Sequence, residues 1–181
     1  MVTALIFAGG TGRRMNAVSK PKQFLELHGK PVIIYTIEVF ERHPEIDNIA
    51  VVCLDSWVDE LKFQIKKAMI NKVTCIVNGG ATGHDSIYNG LKELSGTASD
   101  NDIILIHDGV RPLVSDALIS DNIAAVKKYG SAVSSAPAIE TVAQIDCDER
   151  IYTIPDRGSM YIAKAPQSFY FKDVWEIYRR A

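Results

Sequence analysis

Glycines and basic residues are concentrated in the segment AGGTGRRMNAVSKPKQF, which spans residues 8–24. Its glycines Gly9, Gly10 and Gly12 fall within four positions, and they are followed by Arg13, Arg14, Lys20 and Lys22. Glycine lets backbone N–H groups turn inward around an anion. Arginine offers a fork of donors to phosphate oxygens, and lysine a compact mobile charge. The segment therefore predicts a site for a phosphate-rich ligand, with a solvated basic turn as the alternative.

The two commonest phosphate-binding patterns do not fit this segment. The dinucleotide pattern G-x-G-x-x-G would need a third glycine where Met15 stands. The Walker pattern would need Gly-Lys followed by Ser or Thr after its second glycine, and this segment has none. A different kind of phosphate loop is indicated.

Composition excludes several other classes of protein. The chain has 181 residues, 47% hydrophobic and 23% charged, which suits one domain with a sizeable core. Its net charge of −2 provides no overall basic field for nucleic acid. No apolar run approaches the roughly eighteen residues of a membrane span, and no signal peptide is evident. Cys53, Cys75 and Cys147 are scattered without CxxC spacing, so we expect neither a metal site built from cysteines nor a disulfide framework. A cytoplasmic, reducing location is therefore expected.

Short apolar runs alternate with helical patterns along most of the chain. We predict strands at residues 2–7, 49–54, 73–77 and 103–106, and helices from 31, at 56–69, 85–94, 115–129 and 172–180. Ser56 and Asp59 suggest a capping box for the second of these helices. This alternation predicts an α/β fold, a mostly parallel sheet with helices on both faces.

After Gly130 the pattern changes to strand-like segments at 131–136, 139–145 and 151–154. The turn CDER separates the last two, which predicts a β-hairpin. We therefore expect a projecting β-arm at about residues 137–158, within a single domain that spans residues 1–181.

Three chemistry-rich segments directly follow predicted strands. They are AGGTGRR, NGGATGHDS and HDGVRP. In an open parallel sheet, ligands bind at the carboxyl ends of the strands, so these three loops should converge on one edge. Within the last segment, His107 and Asp108 should point to opposite faces of the sheet. A structural His107 and a ligand-facing Asp108 are therefore favoured.

The motifs AGGTGRRM, PKQF, HDGVRP and APQSF, in this order, resemble the CTP-dependent cytidylyltransferases that act on 2-C-methyl-D-erythritol 4-phosphate or D-ribitol 5-phosphate. The resemblance runs over essentially the whole chain. It implies a Rossmann-like fold of the nucleotide-diphospho-sugar transferase kind. It also implies transfer of CMP from CTP to a polyol phosphate, with Mg²⁺ as cofactor, release of pyrophosphate and formation of a CDP-alcohol.

The same resemblance implies a role for individual residues. Arg14 and Lys22 match the catalytic cations that stabilise the transition state. The nucleotide-binding positions are Ala8, Gly9, Gly10, Thr11, Gly12, Arg13, Gly80, Ser86 and Asp108. Asp108 also matches the metal ligand, and Arg111, Thr141 and Arg157 match acceptor-binding residues. In the family the arm of one subunit closes the site of its partner, so we expect a homodimer.

The sequence departs from the family pattern in three places. Ala81 and Gly83 stand where an acidic residue and an arginine are common, and Ala165 stands where threonine is common before PQ. Relatives also continue beyond the position of Ala181 with a phosphate-contacting lysine, so the chain is expected to be shorter at its end. Two alternatives follow: a nucleotidyltransferase for another base or a sugar 1-phosphate, and a catalytically weak nucleotide-binding module. The acceptor stays open, since SIYNGL favours methylerythritol phosphate and IPDRGSMY favours ribitol phosphate.

Overall fold

The computed structural model describes residues 1–10 and 20–180. The strands are β1 (Val2–Ala8), β2 (Glu26–Leu27), β3 (Lys30–Pro31), β4 (Asn48–Cys53), β5 (Val73–Asn78), β6 (Ile103–Asp108), β7 (Ser131–Pro137), β8 (Gln144–Ile145), β9 (Ile151–Thr153) and β10 (Tyr161–Tyr170). The helices are α1 (Val32–Arg42), α2 (Val58–Lys67), α3 (Gly83–Leu94), α4 (Asp116–Tyr129) and α5 (Phe171–Arg180). Short 3-10 turns lie at Lys22–Phe24, Asp55–Trp57 and Arg157–Ser159.

The central sheet has six strands in the order β5-β4-β1-β6-β10-β7. β1 lies in the middle and pairs in parallel with β4 on one side and β6 on the other. β5 continues the parallel half, whereas β10 runs antiparallel to both β6 and β7. The predicted α/β architecture with a mostly parallel sheet is confirmed.

Helices cover both faces of the sheet, as predicted. On one face, Ile33 and Phe40 of α1 pack with Leu61 of α2 and Ile123 of α4. On the other face, Leu91 of α3 and Phe171 and Val174 of α5 pack against the sheet. Strands covered on both sides have no polar face, which explains why β1 and β4 consist almost wholly of apolar residues.

Two local predictions were wrong, and one strand was not predicted. Ser56 falls in a 3-10 turn, and α2 begins at Val58 without a side-chain cap. The capping box lies instead on α3, where Thr82 and Asp85 bond each other's backbone N–H. The strand predicted at 139–145 shrinks to Gln144–Ile145, because residues 139–143 have no pairing partner. β10 was not predicted, since its sequence YIAKAPQSFY contains a proline and polar residues.

The predicted hairpin is present as the two-stranded sheet of β8 and β9, which is separate from the central sheet. All residues of both strands are exposed. Among the described residues, no helix has the length and apolar character needed to cross a membrane.

Candidate functional site

The three predicted loops meet at the carboxyl edge of the parallel strands. The Gly79 N–H donates to the Cys53 carbonyl at 2.7 Å, and the Gly109 N–H donates to the Phe7 carbonyl at 3.0 Å. These bonds join the loop after β5 to β4, and the loop after β6 to β1. A β-carbon built on Gly9 would lie 3.3 Å from the Gly79 α-carbon, so the first and second loops are also in contact. The predicted convergence is confirmed by this geometry.

Ser86 fixes the loop that follows β5. Its side chain is 2% exposed, and its hydroxyl accepts from the Gly80 N–H at 3.1 Å and donates to the Thr82 carbonyl at 2.9 Å. Gly80 has no room for a side chain, because a β-carbon there would lie 2.2 Å from the Asp85 β-carbon. Ser86 and Gly80 therefore lie at the predicted place, with the Ser86 hydroxyl directed into the loop.

Lys22 lies next to the glycine loop on a rigid 3-10 turn. Its neighbours Gln23 and Phe24 are both 1% exposed, and Lys22 itself is half-buried. Phe24 stacks on Trp57 with ring centroids 4.5 Å apart. The Gln23 side-chain amide donates to the Ala8 carbonyl at 2.6 Å and to the Gly10 carbonyl at 3.0 Å. The turn that presents Lys22 is thus bonded directly to the loop after β1.

Asp108 and Arg111 form an ion pair on the loop after β6, with the Arg111 Nε donating to the carboxylate. The Asp108 side chain is 26% exposed and the Arg111 side chain 56% exposed. Since Arg111 is expected to hold an acceptor phosphate and Asp108 a metal, the two predicted ligands are paired with each other in this structure. The pair keeps both charged groups beside one another at the mouth of the site.

Two buried polar residues support this loop from below. The His107 Nε2 lies 3.0 Å from the Arg111 carbonyl, and the Thr36 hydroxyl donates to the Gly109 carbonyl at 3.0 Å. His107 is 1% exposed and packs on Phe40 with ring centroids 5.1 Å apart. Because a carbonyl can only accept, Nε2 carries the proton. Burial lowers the pKa of His107, so the ring is held neutral, and the predicted structural role of His107 is confirmed.

Two adjoining cavities open beside Arg111. The smaller, about 160 Å³, is lined by Phe7, Ile106 and Asp108 among others, and the larger, about 350 Å³, by His107, Pro112 and Leu118 among others. Arg111, Lys164 and Ala165 line both cavities. Ala165 contributes only a methyl group at the position where threonine is common in the resembled family, so the wall there offers no hydroxyl.

Asp108, which is paired with Arg111, is the carboxylate that lines the smaller of the cavities described above. The described residues contain no cluster of three or more His, Cys, Asp or Glu side chains that could hold an ion on their own. Mg²⁺ is commonly bound by one or two carboxylates together with substrate phosphates. A single carboxylate beside a phosphate loop therefore fits a metal that is shared with a bound triphosphate.

Thr141 and Arg157 lie in the segment that connects β7 to β10. Thr141 is in an exposed, unpaired segment, and Arg157 is exposed on a 3-10 turn where its Nη1 donates to the Ile139 carbonyl at 3.3 Å. Neither residue lines the two cavities beside Arg111. Within one chain, Arg157 thus contacts the backbone two residues before Thr141, and neither residue shares the cavities that Arg111 lines. The predictions for Thr11, Gly12, Arg13 and Arg14 lie outside the described residues.

Sequence reasoning missed three residues at this site: Gln23, Thr36 and Lys164. In the motif PKQF, the polar residue Gln23 stands between the catalytic candidate Lys22 and the aromatic Phe24. This position was the sequence signal from which a role for Gln23 could have been inferred. Thr36 is a polar position in the apolar face of α1, surrounded by Ile33, Ile37 and Phe40. Lys164 belongs to β10, and without that strand its place beside Arg111 could not be inferred.

Comparison with known proteins gives one consistent family. Residues 2–181 match the family model described as IspD: 2-C-methyl-D-erythritol 4-phosphate cytidylyltransferase. The chain is 49% identical to a ribitol-5-phosphate cytidylyltransferase of Vibrio parahaemolyticus, over 100% of the chain and 76% of that protein. It is 36% identical to a 2-C-methyl-D-erythritol 4-phosphate cytidylyltransferase of Syntrophus aciditrophicus, over 99% and 76%.

Solved structures agree with the sequence relatives. The crystal structure of 4-diphosphocytidyl-2C-methyl-D-erythritol synthase from Anaerococcus prevotii superposes with a TM-score of 0.81 at 29% identity. The superposition covers 99% of this chain and 74% of that one.

Proposed function

The chain belongs to the IspD family of 2-C-methyl-D-erythritol 4-phosphate cytidylyltransferases, and we propose that its acceptor is D-ribitol 5-phosphate. It is a CTP-dependent cytidylyltransferase that transfers CMP to a polyol phosphate. The observation that carries the choice of acceptor is the identity of 49% to a relative named for ribitol 5-phosphate, against 36% to one named for 2-C-methyl-D-erythritol 4-phosphate. The segment IPDRGSMY, which runs into APQSF, favours the same acceptor.

The reaction joins an oxygen of the acceptor phosphate to the α-phosphorus of CTP, and the bond from that phosphorus to the β-phosphate oxygen breaks to release pyrophosphate. A phosphomonoester has a second pKa near 6, so it is already largely a dianion at pH 7. No general base is needed, and His107 is buried under the loop and kept neutral. The catalytic task is to bring two anions together and to stabilise charge on the transferring group.

Cations around the glycine loop suit this task. Lys22 is held against the loop by its neighbour Gln23, and Arg14 is proposed to act with it. Gly9, Gly10 and Ala8 provide the backbone that surrounds the triphosphate, and Gly80 and Ser86 the segment that reads the cytosine and ribose. Asp108 is proposed to hold Mg²⁺, which would neutralise phosphate charge when bound.

We further propose that the enzyme is a homodimer in which the segment 137–158 reaches the neighbouring site. Supporting this, neither Thr141 nor Arg157 lines the cavities beside the Asp108–Arg111 pair within one chain. The segment and its base also expose large apolar side chains: Ile139 is 83% exposed, Ile151 62% and Tyr152 64%. Several large apolar side chains exposed in one segment are consistent with a protein interface.

One set of assays tests the activity and its acceptor. Pyrophosphate release is measured with CTP, Mg²⁺ and, side by side, D-ribitol 5-phosphate, 2-C-methyl-D-erythritol 4-phosphate and glycerol 3-phosphate. We expect kcat/KM to be at least about tenfold higher for ribitol 5-phosphate, a difference of about 1.4 kcal/mol. A higher value for methylerythritol phosphate would contradict the proposed acceptor, and a preference for UTP or GTP over CTP would contradict the proposed donor.

A pair of lysines in one segment provides a matched test of the catalytic role. Lys22→Ala should lower kcat/KM by about 10²–10³-fold, the usual loss for one preorganised charge contact. Lys20→Ala should change it little, because Lys20 is 46% exposed and pairs with Glu26 at 3.1 Å, a surface ion pair. Equal losses in the two variants would show that the segment contributes only diffuse positive charge.

A further inference from the structure

We propose that Gln23 is a positioning residue that locks the Lys22 turn to the glycine loop and fixes the orientation of the loop's first peptides. The inference rests on the proposed function, since it concerns the loop that would surround the triphosphate. It starts from an unusual feature: a primary amide that is 1% exposed at the end of the central strand of the sheet.

The Gln23 amide bridges two carbonyls on either side of Gly9. It donates to the Ala8 carbonyl at 2.6 Å and to the Gly10 carbonyl at 3.0 Å, across 15 and 13 residues of sequence. Carbonyl oxygens can only accept, so the NH₂ group must face them and the orientation of the amide is chemically determined. Both protons of one NH₂ group are therefore used to hold one stretch of backbone.

This arrangement controls which polar groups the loop presents. A carbonyl directed at a triphosphate would repel it, whereas an N–H would bind it. In a trans peptide the C=O and N–H point in opposite directions, so holding the Ala8 carbonyl toward Gln23 turns the Gly9 N–H away from it. The two carbonyls are held on the Gln23 side of the loop, where they do not oppose an anion.

The same side chain ties this loop to Lys22. Gln23 is the next residue in a turn closed by bonds from the Phe24 N–H to the Pro21 carbonyl at 2.9 Å and from the Leu25 N–H to the Lys22 carbonyl at 3.2 Å. Phe24 anchors the turn in the core. The backbone of Lys22 and the backbone of the loop are therefore set at a fixed spacing by a single side chain.

A double-mutant cycle tests whether Gln23 acts through Lys22. Gln23→Met preserves the volume and removes both donors, and it should lower kcat/KM by about 10²-fold, the scale of a 1 Å misplacement. In a Lys22→Ala background the same change should cost only about tenfold, because the lysine that it positions is absent and only the effect on the peptides of the loop remains. Equal costs in the two backgrounds would overturn the proposal.

Asn122 provides the matched control. It too is a buried amide, 4% exposed, that donates to the Leu118 carbonyl and to the Ser134 hydroxyl and accepts from Ser168, but it lies on α4 away from the loop. Asn122→Leu should lower the thermal midpoint and leave the KM for CTP unchanged. If both variants lose stability and activity in the same proportion, Gln23 is merely structural and the proposal fails.

A measurement on the unmodified enzyme keeps the test independent of variants that fail to fold. The side-chain amide protons of Gln23 should exchange with solvent much more slowly than those of Gln144, which is exposed on β8. Equally fast exchange would overturn the proposal.

The affinity for CTP gives a second readout, measured by calorimetry on Gln23→Met without acceptor. The affinity should fall about tenfold. An unchanged affinity together with an unchanged kcat would refute the positioning role. Because amide exchange and CTP affinity are measured without acceptor, failure of this proposal is distinguishable from failure of the ribitol 5-phosphate assignment.

Discussion

Replacing Gly9 with alanine should destabilise the junction of the first two loops, whereas the same change at Gly10 should not. A β-carbon on Gly9 would lie 2.7 Å from the Ser86 hydroxyl oxygen and 3.3 Å from the Gly79 α-carbon. Non-bonded heavy atoms prefer separations of about 3.5 Å or more, so Ser86 or the loop must move. Among the described residues, a β-carbon on Gly10 would meet no atom within 4 Å.

The structure sets the size of this effect. Ser86 cannot rotate freely, because its hydroxyl bonds the Gly80 N–H and the Thr82 carbonyl, each bond being worth about 0.5–1.5 kcal/mol. Overpacking of a buried site typically costs about 1–3 kcal/mol. We therefore expect Gly9→Ala to lose about 1–3 kcal/mol and Gly10→Ala to stay within about 1 kcal/mol of the original protein.

Urea unfolding and thermal melting measure these differences, with a midpoint shift of about 2–4 °C for each kcal/mol in a chain of this size. Combining Gly9→Ala with Ser86→Ala removes the closest atom, so the double variant should be more stable than the sum of the single losses by about 1 kcal/mol. Equal stability of the Gly9→Ala and Gly10→Ala variants, or strict additivity with Ser86→Ala, would refute the reasoning.

Two further predictions follow from buried titratable groups. The folded-state pKa of His107 lies below its ordinary 6.5, so the unfolded chain binds the proton first. The free energy of unfolding should fall as the pH drops below about 6.5, and His107 should contribute at most about 1.4 kcal/mol per pH unit to this fall. His107→Gln should remove that contribution when urea unfolding is measured from pH 5 to 8. An unchanged dependence of stability on pH in this variant would contradict the prediction. Burial raises the pKa of Cys53 to about 11, so a thiol reagent should label exposed Cys147 rapidly and Cys53 only on unfolding. Because Cys75 is half-buried, the control carries both Cys75→Ser and Cys147→Ser, and a fast phase that survives in this double variant would contradict the prediction.

The parallel half of the fold was predictable because its signals are local. β1 and β4 are continuous apolar runs, and Ser115 caps α4 as predicted, its hydroxyl accepting from the Leu118 N–H. β10 was not predictable in this way. Its central sequence AKAPQ interrupts the pairing with β7 between Ala163 and Gln167, and the strand is defined by its pairing with β6 and β7, which are distant from it in sequence. Local pattern fails where pairing partners supply the stability.

The residues of the site also differ in whether the sequence alone identifies them. The charged groups, Lys22, Asp108 and Arg111, stand in recognisable motifs and are all at least partly exposed. The groups that fix the loops are neutral and buried: Gln23, Ser86, Thr36 and His107 are each at most 2% exposed.

This division has a physical cause. Burying a charge costs far more than burying a hydrogen-bonded neutral group, so charges used to anchor the loops would need partners of their own and would be lost to the substrates. Neutral anchors such as Gln23 and Thr36 hold the backbone by bonding its carbonyls. They leave the charges of Lys22 and Arg111 to be neutralised by phosphate. The geometry of the loops and their charge are therefore set by different residues, and a variant of an anchor should alter where the charges stand without altering how many there are.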